Sequence, residues 1–221
     1  MINIEYLDVY GFETAIRAMR NPKNSWKNSD STFKDGKLIN IGPNDFDLMK
    51  RLFKGGTEHR KYLRQIYVSF DLSAMVYYLA EFDTYKVGVT RNSCSFMHKG
   101  VSKPFEITDF SNHNDEVENI IKNDIHCYDP DLELEVSCWR MVLKTLNKLR
   151  DKYLETKDPD IFLRIRDILP SGYNQRATFS MNYENIINMI RQRKDHRIPE
   201  WREFCQYMID NLPLLKELLE D

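Results

Sequence analysis

Two segments of the sequence combine cations and short hydrogen-bond donors with apolar neighbours. The first is residues 83–99, DTYKVGVTRNSCSFMHK, which has four basic side chains among hydroxyl and amide groups. Phosphate oxygens each accept several hydrogen bonds, and a glycine-bearing loop of this composition supplies the donors. The segment therefore indicates a phosphate-binding loop, while a solvated basic loop is the plainer interpretation. The polar residues concerned are Thr84, Lys86, Thr90, Arg91, Asn92, Ser93, Ser95, His98 and Lys99.

The second segment, residues 176–202, contains amides and guanidinium groups on a helix predicted to start near Tyr183. Asn182 and Asn188 lie among Ile and Met residues, where an amide without a hydrogen-bond partner is costly. Both are therefore candidates for reading a base or a flavin ring. The alternatives are that Asn182 only caps the helix and that Asn188 faces water. Arg193 falls at the helix end, where it could reach a cleft.

The cysteines indicate neither a metal centre nor a disulfide framework. Cys94, Cys127, Cys138 and Cys205 form no CxxC pair, and their gaps do not fit a zinc site. Reduced thiols in a cytoplasmic protein are the expectation. Cys94 lies in the basic segment, where a thiolate would be stabilised, but an incidental thiol is the simpler interpretation.

Composition limits the class of protein. The 221 residues are 42% hydrophobic, which is enough for one domain with a core. With 32 basic and 34 acidic residues, the net charge of -2 gives no general attraction to a nucleic acid polymer or an anionic membrane. The sequence has neither the features of a signal peptide nor a run of about 20 apolar residues. A cytoplasmic protein with a nucleotide-sized ligand is expected, with no nucleic acid polymer and no membrane as partner.

Hydrophobic periodicity predicts the elements that must position these groups. In the first strand we expect Ile2, Ile4, Tyr6 and Val9 to be buried, and we expect Ser73 to cap a short helix. Residues 21–37 and 84–100 are predicted to be surface loops, and residues 109–131 a loop or a frayed helix. The fold class is α+β, as a single domain over residues 1–221. Strands are predicted at 2–10, 66–72 and 176–183, and helices at 12–19, 43–54, 73–83, 133–156, 158–168, from 183, and from 199 through Leu215.

Together the two segments resemble the signature regions of the flavin-dependent thymidylate synthases (ThyX). That family pairs an apolar strand and helix with the motif R-H-R, then four residues, then N-E-x-S-x-R-Y. In this sequence IYVSFDLSAMVYYLAEFD occupies the strand and helix. Two arginines and the glutamate of the motif are absent. The R-H-R triplet falls on Thr84, Tyr85 and Lys86, and the downstream positions fall on Asn92, Ser93, Ser95 and Met97 or His98.

The second region is more similar to the family pattern. Leu169-Pro170 and Tyr173 are followed by a strand ending in Met181-Asn182, then by Asn188 and Arg193. By this resemblance the two asparagines contact a flavin, and Arg193 reads the pyrimidine ring of dUMP. His196 or Arg197 stands where the family has a histidine after that arginine, and Gln65 replaces a family histidine near the flavin.

The resemblance implies a ThyX-like fold, with an antiparallel or mixed sheet flanked by helices, and a homotetramer. It also implies reductive methylation of dUMP to dTMP, with FAD as cofactor and NADPH and methylenetetrahydrofolate as cosubstrates. Arg193 would be catalytic, because it would stabilise negative charge on the uracil carbonyl, and no metal is implied. FAD would contact Arg64, Gln65, Lys86, Asn182, Asn188 and Arg197. The nucleotide would contact Arg91, Asn92, Ser93, Ser95 and Arg193.

Two alternatives stay open. One is another flavin-dependent modification at C5 of a pyrimidine nucleotide, such as hydroxymethylation, because loss of motif residues fits a changed substrate. The other is a non-catalytic nucleotide-binding or interaction module on the same fold.

Overall fold

The protein is described by a computed structural model that covers residues 2–96, 100–111 and 114–220. Among these residues the chain divides into two compact units. Unit 1 comprises Ser73–Glu81 and Ser93–Arg176, and unit 2 comprises Ile2–Leu72, Phe82–Asn92 and Ala177–Asp221. The single domain over residues 1–221 stays a prediction. No helix in the described residues is long and apolar enough to cross a membrane.

Six strands form two sheets in the described part of the chain. The larger sheet has the order β1-β4-β6-β5, and β2 pairs with β3 as an antiparallel hairpin. Alternate residues of β4 and β6 are buried, as expected for strands with one face on a core. The strands are β1 (Asn3–Tyr10), β2 (Thr32–Lys34), β3 (Lys37–Asn40), β4 (Tyr67–Met75), β5 (Thr90–Ser93) and β6 (Asn174–Asn182).

The starts of several helices follow from local sequence. Pro43, Pro130, Pro159 and Pro199 occupy first positions, where a missing N–H costs no helical hydrogen bond. The described helices are α1 (Phe12–Arg20), α2 (Pro43–Lys54), α3 (Val76–Phe82), α4 (Asp115–Lys122), α5 (Pro130–Thr156), α6 (Pro159–Ile168), α7 (Tyr183–Arg193), α8 (Pro199–Asn211) and α9 (Leu215–Leu219). Short 3-10 turns include Arg60–Gln65 and Asp83–Tyr85.

The core of unit 2 contains a cluster of aromatic rings. Phe179 of β6 lies with its ring centroid 5.7 Å from that of Phe70 in β4 and 4.6 Å from that of Phe82. Trp201 and Phe204 of α8 close the cluster, at 5.5 Å and 5.4 Å from Phe82. Ring pairs at these separations add to the burial of apolar area, so the cluster fixes α8 against the sheet.

Unit 1 has its own core, formed mainly between α5 and α6. Apolar residues of these helices pack on the segment around residues 101–110, and Asn147 braces that segment. The Asn147 side chain accepts from the Phe105 N–H at 2.7 Å and donates to the Phe105 carbonyl at 2.9 Å. The buried residues are Val101, Phe105, Phe110, Leu146, Leu149, Ile161, Phe162 and Ile165.

Most of the predicted elements are confirmed, and several features differ. Ile2, Ile4, Tyr6 and Val9 were expected to be buried, but none is. Ile2, Ile4 and Val9 are half-buried, whereas Tyr6 is 76% exposed and has φ 53°. Ser73 lies inside β4 and caps no helix. The single helix predicted to run from residue 199 through Leu215 is interrupted, because Pro213 cannot continue the hydrogen-bond ladder and Leu214 has φ 62°. Residues 109–131 contain the regular helix α4, for which Asn114 supplies the cap.

Two surface loops of the prediction contain strands. Residues 21–37 include β2 and the start of β3, and residues 84–100 include β5, which pairs with β6. Both pieces are short and polar, so periodicity over four residues gave no signal. Their strand conformation depends on backbone partners in a neighbouring strand.

A buried ion pair joins α1 to α2 in unit 2. Arg20 Nε donates to Asp45 Oδ1 at 2.6 Å, and the Asp45 side chain is fully buried. The other oxygen, Oδ2, accepts from the hydroxyls of Ser29 and Ser31 and from the Asp30 and Ser31 N–H groups. Desolvation by burial raises the pKa of Asp45, but the hydrogen bonds outweigh it and the net shift is downward.

Replacement of the buried carboxylate is expected to destabilise the fold. Asp45→Asn leaves Arg20 without its counter-charge and should lower the free energy of unfolding by about 3–5 kcal/mol, as measured by urea denaturation. Asp47→Asn is the matched control, because Asp47 is exposed and its pair with Arg51 should contribute less than about 1 kcal/mol. Because the folded pKa of Asp45 is depressed, its stabilisation is present above pH ~4 and is lost as the pH falls through that folded pKa. Equal losses in the two variants would contradict this role.

Candidate functional site

Arg193, the last residue of α7, is held by aromatic side chains of unit 2. Its Nε donates to the Tyr85 hydroxyl at 2.8 Å, and that hydroxyl donates to Gln192 Oε1 at 2.9 Å. The Arg193 Cζ atom lies 5.1 Å from the Trp201 ring centroid and 5.6 Å from that of Tyr85. A guanidinium over two aromatic rings gains cation–π energy, and the hydrogen bond fixes its direction. Arg193 is therefore a positioned cation.

An apolar wall supports this arrangement. Trp201 is fully buried, and its ring stacks on Phe82 with an interplanar angle of 4°. Tyr85 meets the Trp201 ring edge-on at 5.8 Å, and His196 lies 6.4 Å from it. The wall lowers the local dielectric around Arg193, so that its charge acts more strongly on a neighbouring group.

The start of α7 contacts the polar loop between α3 and β5. Asn185 Nδ2 donates to the Val87 carbonyl at 2.8 Å. Gly88 has φ +75°, and a Cβ there would lie 3.3 Å from Asn185 Oδ1 and 3.4 Å from Asn182 Nδ2. Glycine suits this position because it adopts positive φ without penalty and lets the backbone approach the two amides.

The two predicted flavin-reading asparagines differ in their surroundings. Asn182 caps α7, since its Oδ1 accepts from the Asn185 N–H at 3.0 Å, and Asn185 Oδ1 accepts in return from the Asn182 N–H. The capping role that the sequence left open is thus present. Asn188 is half-buried, and its amide makes no side-chain hydrogen bond to any residue that the structure describes.

The loop cations are arranged differently from a simple phosphate cradle. Arg91 lies in β5, where its Nη1 donates to Asp83 Oδ2 at 2.6 Å and its Cζ lies 5.9 Å from the Phe179 ring centroid. Its charge is thus offset by a carboxylate that the sequence reading did not pair with it. Lys86 and Asn92 are exposed.

Ser93 and Ser95 belong to unit 1. Between them, the Cys94 N–H donates to the Arg176 carbonyl and the Cys94 carbonyl accepts from Gln175 Nε2, both at 2.8 Å. Ser95 lines a cleft of about 190 Å³ in that unit. Cys94 itself is exposed. Met97, His98 and Lys99 of the same predicted loop lie outside the described residues.

The remaining predicted FAD contacts are exposed residues of unit 2. Arg64 and Gln65 end the 3-10 turn Arg60–Gln65, directly before β4. Arg197 lies between α7 and α8, and Arg202 Nη1 donates to its carbonyl at 3.0 Å. The loop that contains Tyr85 and Gly88 contacts α7 at both ends. Gly88 approaches the cap residue Asn182, and Tyr85 is hydrogen-bonded to Arg193. Within the described residues, no group of three or more His, Cys, Asp or Glu side chains could hold a metal ion.

Sequence reasoning missed the aromatic supports of Arg193. Tyr85 was placed at the histidine position of the R-H-R motif, without a role. Trp201, in the helix predicted from residue 199, was given no role in the site. A signal existed, because a tyrosine in a polar loop and a tryptophan eight residues beyond an arginine both suit a guanidinium. Neither contact follows from spacing alone, since Tyr85 and Arg193 are 108 residues apart.

Solved structures with the same architecture define the class of fold. A crystal structure of the flavin-dependent thymidylate synthase ThyX from Helicobacter pylori, complexed with FAD and dUMP, matches with a TM-score of 0.66 and 18% identity over 97% of this chain and 96% of that one. A second structure of ThyX from H. pylori, with FAD and dUMP, matches with a TM-score of 0.65 and 16% identity over the full length of both chains. No protein-family model and no curated protein matches the sequence. The chain has the ThyX fold, which confirms the predicted α+β class with antiparallel sheets.

The close approach at Gly88 generates a testable expectation. Gly88→Ala places a side chain at positive φ, which costs roughly 1–2 kcal/mol, and also presses a methyl group on the amides of Asn182 and Asn185. Gly36→Ala is the matched control, because Gly36 has φ +76° but nothing within 4 Å of its Cβ position. Urea denaturation should show a larger loss for Gly88→Ala. Hydrogen exchange should show loosening of residues 83–92 in that variant alone, and equal behaviour of the two would contradict the contact.

Proposed function

We propose that this protein is a flavin-dependent thymidylate synthase-like enzyme that binds FAD beside dUMP and forms dTMP by reductive methylation. Methylenetetrahydrofolate supplies the carbon and NADPH the reducing equivalents. The observation that carries the proposal is Arg193, held by Tyr85 and Trp201 at the end of the helix that Asn182 starts. The shared fold supports it, because both similar structures are described with FAD and dUMP.

The residues around α7 fit a flavin. An isoalloxazine ring presents alternating donors and acceptors, and an asparagine amide offers both kinds of partner. Asn188 has an uncommitted amide, and the glycine at residue 88 keeps side-chain bulk away from Asn182. When bound, FAD supplies the hydride chemistry. Contacts to it are assigned to Asn182, Asn188, Arg64, Gln65, Lys86 and Arg197.

Arg193 is assigned to the pyrimidine ring. Its guanidinium donates hydrogen bonds in a fixed plane, so it suits a uracil carbonyl on which negative charge develops. Such stabilisation requires a donor that is already oriented. Tyr85 provides that orientation through the Arg193 Nε atom and acts as a positioning residue.

The phosphate of dUMP is assigned to Arg91, Asn92, Ser93 and Ser95. Arg91 is held within this loop, because its Nη1 donates to Asp83 Oδ2 at 2.6 Å. We also propose a homotetramer acting in the cytoplasm, because the resemblance places sites between subunits and neighbouring copies would supply further cations. Light scattering should give four times the 26.4 kDa mass of the chain.

A different modification at C5 of a pyrimidine nucleotide is the second candidate. The specific observation is that Tyr85 replaces the motif histidine and places its hydroxyl on Arg193. This changes the groups around the base while the helix and its asparagines stay. Product analysis with dUMP and with dCMP, each with methylenetetrahydrofolate and NADPH, separates the two reactions. A protein that binds nucleotide and forms no product would support a non-catalytic module.

Flavin binding is the first expected outcome. Purified protein, or protein incubated with FAD, should show the flavin absorbance bands, and dUMP should shift them because the two rings would stack. Asn188→Ala should weaken FAD binding roughly tenfold, since a ligand hydrogen bond is lost. Asn119→Ala, an asparagine of α4 in unit 1, is the control. A protein that takes up no FAD under any condition would refute the proposal.

Arg193→Ala should abolish dUMP binding, measured by calorimetry, while circular dichroism stays unchanged. Tyr85→Phe should weaken binding by a few fold, because the guanidinium loses its fixed direction but keeps its charge. Arg166→Ala, at an exposed position of α6, should bind dUMP as the unsubstituted protein does. Unchanged nucleotide affinity in Arg193→Ala would show that the assigned role is wrong.

A further inference from the structure

A second groove in unit 2 is lined by none of the residues assigned to FAD or dUMP. It has a volume of about 810 Å³ and is formed by the end of α2, the 3-10 turn Arg60–Gln65, and helices α7, α8 and α9. This volume lies in the range of about 300–1,000 Å³ typical of small-molecule sites. The lining residues are Phe53, Lys54, Arg60, Ile190, Arg191, Lys194, Gln206, Ile209, Lys216, Leu218, Leu219 and Glu220.

The lining is strongly basic in a protein of net charge -2. Five of its residues are cations and only Glu220 is acidic, at 3.9 Å from Lys216. A buried carboxylate, Glu184, adds one negative charge near Arg60 and Arg191. The excess of positive charge is local, since cations on separate elements converge here. The five cations are Lys54, Arg60, Arg191, Lys194 and Lys216.

Arg60 is the residue that points to a ligand. It is only 7% exposed, and its Nε and Nη1 atoms have no hydrogen-bond partner among the described residues. Buried guanidinium nitrogens without acceptors are costly. The Cζ atoms of Arg60 and Arg191 lie 5.3 Å and 5.2 Å from the Phe53 ring centroid. Burial, and then the charge of Arg60, lower the pKa of Arg191. Two guanidinium groups are thus held near each other, where an anion would relieve their repulsion.

We propose that this groove binds a small molecule carrying a polyphosphate group, of the class of nucleoside di- and triphosphates. Guanidinium pairs bind phosphate oxygens in a bidentate manner, and lysines add point charges. The apolar side chains of Phe53, Ile190 and Leu218 offer a surface to the body of such a ligand.

Along α7, the groove residues point away from Arg193, the residue assigned to the pyrimidine ring. Successive helix residues turn by about 100°, so Arg191 points roughly 200° away from Arg193. Arg191 and Lys194 fall on one side of the helix, whereas Asn188 and Arg193 do not line the groove. The groove is therefore distinct from the pyrimidine site assigned to Arg193.

The test uses the full-length protein with inorganic tripolyphosphate and with ATP as probes, measured by calorimetry at two salt concentrations. We expect saturable binding with one site per chain, tighter for ATP because of the apolar wall. Arg191→Gln/Lys194→Gln should weaken both probes roughly tenfold or more, because charge-assisted hydrogen bonds are lost. These two side chains are exposed, so the variant should fold, and Arg60 itself is left intact.

Lys148→Gln/Lys152→Gln is the matched control, since it removes two exposed charges from α5 in unit 1. It should bind both probes as the unsubstituted protein does. Arg193→Ala should also keep tripolyphosphate binding, while Arg191→Gln/Lys194→Gln should keep dUMP binding, so failure of either site is distinguishable from failure of the other. Absence of saturable binding, equal affinity in the two double variants, or tighter binding of an oligonucleotide or acidic peptide than of ATP would overturn the proposal.

Discussion

The structure of unit 2 depends on the junction at which β6 becomes α7. Asn182 ends the strand and caps the helix, and the next residue, Tyr183, is fully buried. The Tyr183 N–H donates to the Ile66 carbonyl and its hydroxyl donates to the Pro213 carbonyl, both at 3.0 Å. These bonds tie the helix start to the beginning of β4 and to the turn before α9. Because a helix is stiff, fixing its first turn also fixes where Arg193 emerges.

This junction makes one helix serve two sites with different requirements. At the first proposed site, the loop between α3 and β5 brings a glycine backbone to Asn182 and a tyrosine to Arg193, and the aromatic wall lowers the dielectric there. On another side, Ile190 and Arg191 line a basic groove with the end of α2 and α9. With about 100° of turn per residue, Arg191 and Arg193 leave the helix in nearly opposite directions.

Residues in the first of the two segments, 83–99, make structural contacts within unit 2. By the resemblance, the family's Arg-His-Arg falls on Thr84, Tyr85 and Lys86, and the hydroxyl of Tyr85 accepts a hydrogen bond from Arg193. Arg91 is likewise tied to Asp83 at the start of the same loop. The charge of Arg91 therefore stabilises the loop in addition to any contact with a ligand. Arg193 on α7 is held in a fixed orientation, and the proposed chemistry is assigned to it.

Local sequence determined the long periodic elements, the proline and asparagine helix starts, and the spacing of Asn182, Asn188 and Arg193 on one helix, because these depend on residues within a few turns of each other. The resemblance on those residues predicted the fold. Only tertiary structure decided β5, the hairpin of β2 and β3, the exposure of Tyr6, and the contact of Tyr85 and Trp201 with Arg193. A short polar strand takes its conformation from a partner strand, and a guanidinium takes its supports from distant elements. The hydrophobic pattern around a residue does not reveal which distant strand or side chain it contacts.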